Sequence, residues 1–142
     1  MTLEWVETRN ALFVPRYRGQ LLCSSIDPIS EAKKWVEKSV YSKESFEVFF
    51  VLGLAGGFHI QQLALMHPKS EIIVIEAHSE LADELLSRRG PLPQNVTLVC
   101  GWDASKITDN VFIKSALRSL YRTLKYPTSF RLDKSYYEQV ER

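Results

Sequence analysis

The run Val48-Phe49-Phe50-Val51-Leu52, followed at once by Gly53-Leu54-Ala55-Gly56-Gly57, restricts this chain more than any other feature. Five consecutive apolar residues leave no polar face, so the strand they form must be covered on both sides, as in a parallel sheet between helices. Ile60, Leu63, Ala64 and Met66 then recur at helical spacing until Pro68, which makes the order strand, glycine turn, helix. A second apolar run, Ile72-Ile73-Val74-Ile75, ends at Glu76, and Ser79 stands where it would cap a helix carrying Leu81, Leu85 and Leu86 that Gly90 stops. Together these segments predict a right-handed βαβ unit.

Downstream, Pro91 and Pro93 lead into a third strand over residues 96–100. Ile113, Leu117, Leu120 and Leu124 share helical spacing and predict one longer helix, which Pro127 ends. Residues 129–132 read as a fourth parallel strand, and residues 134–140 as a closing helix with Tyr136 and Tyr137 as its apolar contacts. Upstream, residues 3–8 and 12–17 read as a hairpin with Asn10 in its turn, and Arg18-Gly19-Gln20 turns the chain into residues 21–24. Asp27-Pro28 supplies an N-cap and a first-turn proline for a helix with Ile29, Ala32, Lys33, Val36 and Val40 along one side, ending near Ser42. The pattern predicts an α/β, Rossmann-like (methyltransferase-like), mainly parallel sheet flanked by helices, with an N-terminal β-hairpin appendage. One domain is expected over residues 1–142, with the appendage at 1–25 and the α/β core at 26–142.

Length and charge agree with that picture. A chain of 142 residues suits one hydrophobic core. Eighteen Lys and Arg against 17 Asp and Glu leave a net charge of +1, without the basic excess of a dedicated nucleic-acid binder. Cys23 and Cys100 are too few for a disulfide framework, and each sits in an apolar run, so both are expected as reduced, buried thiols. No signal peptide is visible at the start, and no run approaches the roughly 20 apolar residues of a membrane span. A soluble cytoplasmic protein is the expectation, with neither nucleic acid nor membrane among its partners.

A glycine turn between a buried strand and a helix lets a ligand approach the backbone, facing free N–H groups and the positive helix end. A carboxylate at the tip of the next strand, roughly 20 residues on, suits ribose hydroxyls. Gly53, Gly57 and Glu76 meet both conditions. Ala55 and Phe58 stand where the dinucleotide fingerprint has its second and third glycines, which counts against a pyrophosphate as in NAD enzymes. The turn is nearer the Gly-x-Gly-x-Gly of S-adenosylmethionine-dependent methyltransferases, although Val51 occupies the usual acidic position two before the first glycine. The alternative is a tight strand-to-helix turn without a ligand. Asp103 follows the third strand, where it can accept from a base amino group while Trp102 packs on the base; equally, it can cap the next helix. His59 is placed to touch a ligand from the helix start, although an ordinary surface or core histidine is the simpler reading, and His78 shares the same rim. His59, His67 and His78 form no metal set, and no nucleophile motif is present. Lys114, Arg118, Arg122 and Lys125 read as a solvated face more readily than as a phosphate track, and Ser24 and Ser25 as a helix start more readily than as phosphate donors.

Three segments in combination resemble one known family: Leu22-Cys23-Ser24-Ser25-Ile26-Asp27-Pro28-Ile29-Ser30-Glu31-Ala32, Val51-Leu52-Gly53-Leu54-Ala55-Gly56-Gly57-Phe58-His59-Ile60, and Ile72-Ile73-Val74-Ile75-Glu76. They are similar to the N-terminal domain of the motility associated factor family, linked to flagellin glycosylation, and to the related family that includes archaeal hydroxymethylpterin diphosphokinases. Ala55 departs from the family's glycine. The resemblance implies a module placed before a longer domain that handles an activated sugar or pyrophosphate, so this chain reads as an N-terminal module or a divergent short relative.

Three functions follow as alternatives. The first is a module supporting or docking a glycosyltransferase domain, not catalytic alone, with a nucleotide or nucleotide-sugar held at Gly53, Gly57 and Glu76. The second is an S-adenosylmethionine-dependent methyltransferase-like protein, against which stands the lack of an acceptor half and of an Asn-Pro-Pro-Tyr-like motif after the predicted fourth strand. The third is a purely structural interaction domain. A following catalytic domain or another subunit is the expected protein partner, and exposure of Tyr136, Tyr137 and Val140 would mark where it docks.

Overall fold

The computed structural model describes residues 3–8, 12–40, 46–102, 106–107 and 110–141. Strands β1 (Leu3–Glu7), β2 (Phe13–Tyr17) and β3 (Gln20–Leu21) pair antiparallel in that order, with Leu3 opposite Tyr17 and Glu7 opposite Phe13. This is the N-terminal appendage expected from the sequence; its Asn10 turn lies outside the described residues. Helix α1 (Pro28–Ser39) starts as Asp27-Pro28 dictates: the Asp27 carboxylate accepts from the Ser30 N–H, and Pro28 occupies the first turn, where its missing N–H costs nothing. Ala32, Val36 and the C-capping Val40 are buried, whereas Lys33 and Ile29 are exposed. The helix ends at Ser39, ahead of the expected Ser42, which is also outside the described residues.

The main sheet is built from β4 (Val48–Leu52), β5 (Glu71–Glu76), β6 (Val96–Cys100) and β7 (Tyr121–Lys125), all parallel, in the order β6-β5-β4-β7. All five residues of β4 are buried, as a strand covered on both faces requires. Helices α2 (Phe58–Met66) and α3 (Ser79–Arg89) follow β4 and β5. With α1 they cover one face, where Val36, Phe49, Val51, Ile60, Leu63, Ile72, Val74 and Leu85 form a core. The opposite face buries Phe50, Leu52, Ile73, Ile75 and Val99 beneath α4 (Val111–Ala116) and Tyr137. Tyr137 belongs to α6 (Lys134–Glu141), which follows α5 (Pro127–Leu132). A third cluster joins the small sheet to the large one through Val14, Tyr17, Leu22, Cys23, Ala55, Phe58, Leu81 and Tyr126. The whole is an α/β, Rossmann-like arrangement with an antiparallel appendage. Among the described residues, no helix is long and apolar enough to cross a membrane.

Several local expectations are corrected. The predicted long helix through Ile113, Leu117, Leu120 and Leu124 breaks after Ala116, and residues 121–125 form the fourth strand. Leu117 and Leu120 are exposed, so the apolar stripe that implied one buried helix face is not a buried face. Pro127 starts α5 instead of only stopping a helix, and residues 129–132, expected as a strand, belong to it. The four cations read as one face are divided between α4, the turn after it and β7. His78, not Ser79, is the N-cap residue of α3, and its side chain makes no capping bond. Cys23 is buried and Cys100 only half-buried, both as free thiols.

Candidate functional site

The glycine turn joins β4 to α2 through a backbone that only small residues tolerate. Gly53 has φ +115°, Gly57 φ +80°, and Ala55 holds φ +46° at a cost of about 1–2 kcal/mol for a residue with a Cβ. The space beside these residues is filled by the chain itself. A Cβ on Gly53 would lie 2.2 Å from Ser129 Cβ, and one on Gly56 would lie 2.5 Å from Cys23 Sγ. At Gly57 the neighbours are Leu85, with its Cδ2 at 3.0 Å, and the Arg89 guanidinium. The glycines therefore permit close approach, and what approaches is α5, the segment before α1, and α3.

Glu76 stands at the tip of β5, 2% exposed. Its Oε1 accepts from the Leu54 N–H and its Oε2 from the His78 N–H, both at 2.9 Å. Burial pushes its pKa up; the two backbone bonds oppose that shift. His59 is fully buried: its Nε2 donates to the Gly53 carbonyl at 2.9 Å, its ring stacks on Tyr126 at 3.8 Å, and Trp35 meets it edge-on. Desolvation lowers its pKa to about 3, so it is neutral. His59 Nδ1 and Ser129 Oγ are both buried without a hydrogen-bond partner.

The turn thus brings Gly53, Ala55, Gly57, His59 and Glu76 together, and His78 joins them through its backbone. The His78 ring points elsewhere: Nε2 donates to Asp133 Oδ2 at 2.5 Å, and Nδ1 lies 3.4 Å from the Tyr17 hydroxyl, which donates to Glu80. Beside it the Tyr137 hydroxyl accepts from the Ala77 N–H at 3.1 Å. Asp103 lies outside the described residues; its neighbour Trp102 is exposed, and the Trp102 carbonyl accepts from the Tyr136 hydroxyl at 2.5 Å.

The partners that close this rim were missed in the sequence. Arg89 donates to the Gly56 and Phe13 carbonyls and lies 3.8 Å from the Phe58 ring centroid. Ser129 comes from α5, Tyr137 from α6, and Asp133 from the junction between them. The crevice beside Gly57 and Arg89 has a volume of about 10 Å³, room for roughly one water. Cys23 accepts from the Gly56 N–H at 3.2 Å, and burial pushes its thiol up to about 12, so it is no nucleophile at neutral pH. Among the described residues, no group of three or more His, Cys, Asp or Glu is arranged to hold a metal ion.

No protein-family model matches the sequence, and no curated protein matches it. Solved structures do resemble it. MnmC2 from Aquifex aeolicus is 13% identical, with a TM-score of 0.44 over 76% of this chain and 45% of that one. A MAf glycosyltransferase from Magnetospirillum magneticum AMB-1 is 11% identical, with a TM-score of 0.56 over 99% of this chain. This chain spans 31% of that protein, under a third of its length. At such identity the second likeness establishes the fold alone, a Rossmann-like α/β sheet matched along nearly the whole chain.

Proposed function

We propose that this chain is a supporting Rossmann-like module for a glycosyltransferase-type catalytic unit in protein glycosylation, with flagellin as the acceptor that the sequence resemblance implies. It is not catalytic alone. The observation that carries the reading is the state of Glu76, whose two oxygens already accept backbone N–H bonds inside the fold. With Glu76 only 2% exposed, a ribose hydroxyl would have to open the surrounding packing to reach a remaining lone pair. The close packing of Ser129 on Gly53 supports the same reading. The module therefore uses Gly53, Gly57, His59, Glu76 and His78 to fasten its own strand ends, and a nucleotide or S-adenosylmethionine at that rim is the competing reading. The similar fold in the MAf glycosyltransferase, as part of a much longer chain, supports assembly with a catalytic domain or subunit.

Two measurements test this. Ligand-observed NMR with S-adenosylhomocysteine, CMP, a CMP-linked acidic sugar, GTP and ATP is expected to show no binding that Glu76→Ala removes; such binding would overturn the closed-rim reading. Disruption of the gene, followed by intact mass spectrometry of the host's flagellin, is expected to show lost glycan mass. Unchanged glycoforms would sink the glycosylation role.

A further inference from the structure

The strand order places a topological switch between β4 and β7, because the chain leaves β4 toward β5 and β6 and returns on its other side. In open α/β sheets, ligands bind beside the carboxyl ends of the strands at such a point. Here that position is built from Gly53 after β4, Tyr126 after β7, His59, and Trp35 of α1, whose indole N–H donates to the Lys125 carbonyl at 3.1 Å. The two unpartnered buried atoms, His59 Nδ1 and Ser129 Oγ, belong to the same region. Trp35 also lines an open hollow of about 590 Å³, together with Ile26, Pro127, Lys34 and Lys38. That volume falls within the roughly 300–1,000 Å³ of small-molecule sites. Glu76, His59 and Ser129 do not line it; Trp35 is what joins it to the strand-end position.

We propose that this hollow binds a mononucleotide, with the base on Trp35 and Ile26 and the phosphate between Lys34 and Lys38. The lining holds two carboxylates and two ammonium groups, and of these only the ammonium groups have no partner inside the fold among the described residues. Asp27 and Glu31 also border the hollow, but Asp27 caps α1 and Glu31 Oε1 accepts from the Ser24 N–H at 2.8 Å and the Tyr126 hydroxyl at 3.1 Å. Lys34 and Lys38 form no ion pair among the described residues, and at i and i+4 their Cβ atoms are about 5–6 Å apart, close enough for both ammonium groups to reach one phosphate. The Ser24 hydroxyl oxygen accepts from the Ile26 and Asp27 N–H groups, which leaves its proton for a ligand oxygen. Glu31 Oε2 remains to accept from an exocyclic amino group, which favours adenine, cytosine or guanine over uracil or thymine. Trp35 supplies the ring face, and its bond to Lys125 fixes its orientation before the ligand arrives.

The test is two-dimensional 15N NMR on the full chain with AMP, adenosine and inorganic phosphate as separate probes. AMP should shift the Trp35 indole N–H and the amides of residues 30–38 saturably, and more tightly than either half-ligand. Lys34→Glu with Lys38→Glu, two exposed positions, should weaken AMP by about tenfold or more while the rest of the spectrum stays in place. Absence of shifts at millimolar AMP would overturn the proposal. So would shifts centred on residues 53–57, affinity untouched by the charge reversals, or phosphate alone binding as well as AMP.

Discussion

Burial keeps His59 neutral down to about pH 3, whereas the same side chain in the unfolded chain takes up a proton near 6.5. Between those values the unfolded state binds more protons, so the histidine's contribution is intact above pH 6.5 and is lost as pH falls, by up to about 1.4 kcal/mol per unit. Glu76 runs the other way. Its folded pKa is raised by burial from 4.5, so in the window above 4.5 the folded state binds more protons and stability rises as pH falls through that window. Urea denaturation between pH 7 and 4 should therefore show His59→Phe flattening the acid loss by about one proton and Glu76→Gln steepening it. At neutral pH, Glu76→Ala leaves the Leu54 and His78 N–H groups without acceptors, and a loss of about 3 kcal/mol is expected from the urea midpoint. A loss below about 1 kcal/mol would mean those bonds hold nothing together.

The contact between the glycine turn and α5 is the most restrictive junction between elements. Gly53→Ala meets Ser129 at 2.2 Å and a φ of +115°, and should cost at least about 3 kcal/mol in thermal or urea unfolding. Adding Ser129→Gly should restore the steric part and leave the backbone part, a coupling that a double-mutant cycle reads directly. Elements whose environment is uniform were legible in the sequence: β4, β5 and the Asp27-Pro28 start of α1 each carry a local pattern that one structure satisfies. The region from Val111 to Lys125 was not. Ile113, Leu117, Leu120 and Leu124 fit a period of 3.6, yet only Ile113 and Leu124 are buried, and pairing of residues 121–125 with β4 overrides the local pattern. The glycine turn and Glu76 were visible as a strand-end constellation. What fills it was not, because Ser129, Asp133, Arg89 and Tyr17 reach it from distant parts of the chain. Arg88-Arg89 just before Gly90 was the one local hint, since two cations at a helix end have carbonyls within reach.

At the scale of the whole molecule, three contacts tie the small sheet to α3, beside the apolar cluster that joins it to the large sheet. Arg88 lies over Trp5 at 4.5 Å, Arg89 bonds the Phe13 carbonyl at 2.6 Å, and the Tyr17 hydroxyl donates to Glu80. Arg89→Ala should accelerate amide hydrogen exchange in β1, β2 and residues 56–57 while β4 and β5 keep their protection; uniform acceleration would show that the two sheets open together. The same tie sets an order of events during synthesis. Arg89 and Phe13 are 76 positions apart, so β1 and β2 leave the ribosome long before the helix that anchors them. At about 5–20 residues per second, their apolar face waits on the order of 4–15 s for its cover. A nascent chain stalled before residue 89 should therefore expose Trp5, Val14 and Tyr17 to chaperones, and the complete chain, with Leu81 and Tyr126 in place, should not.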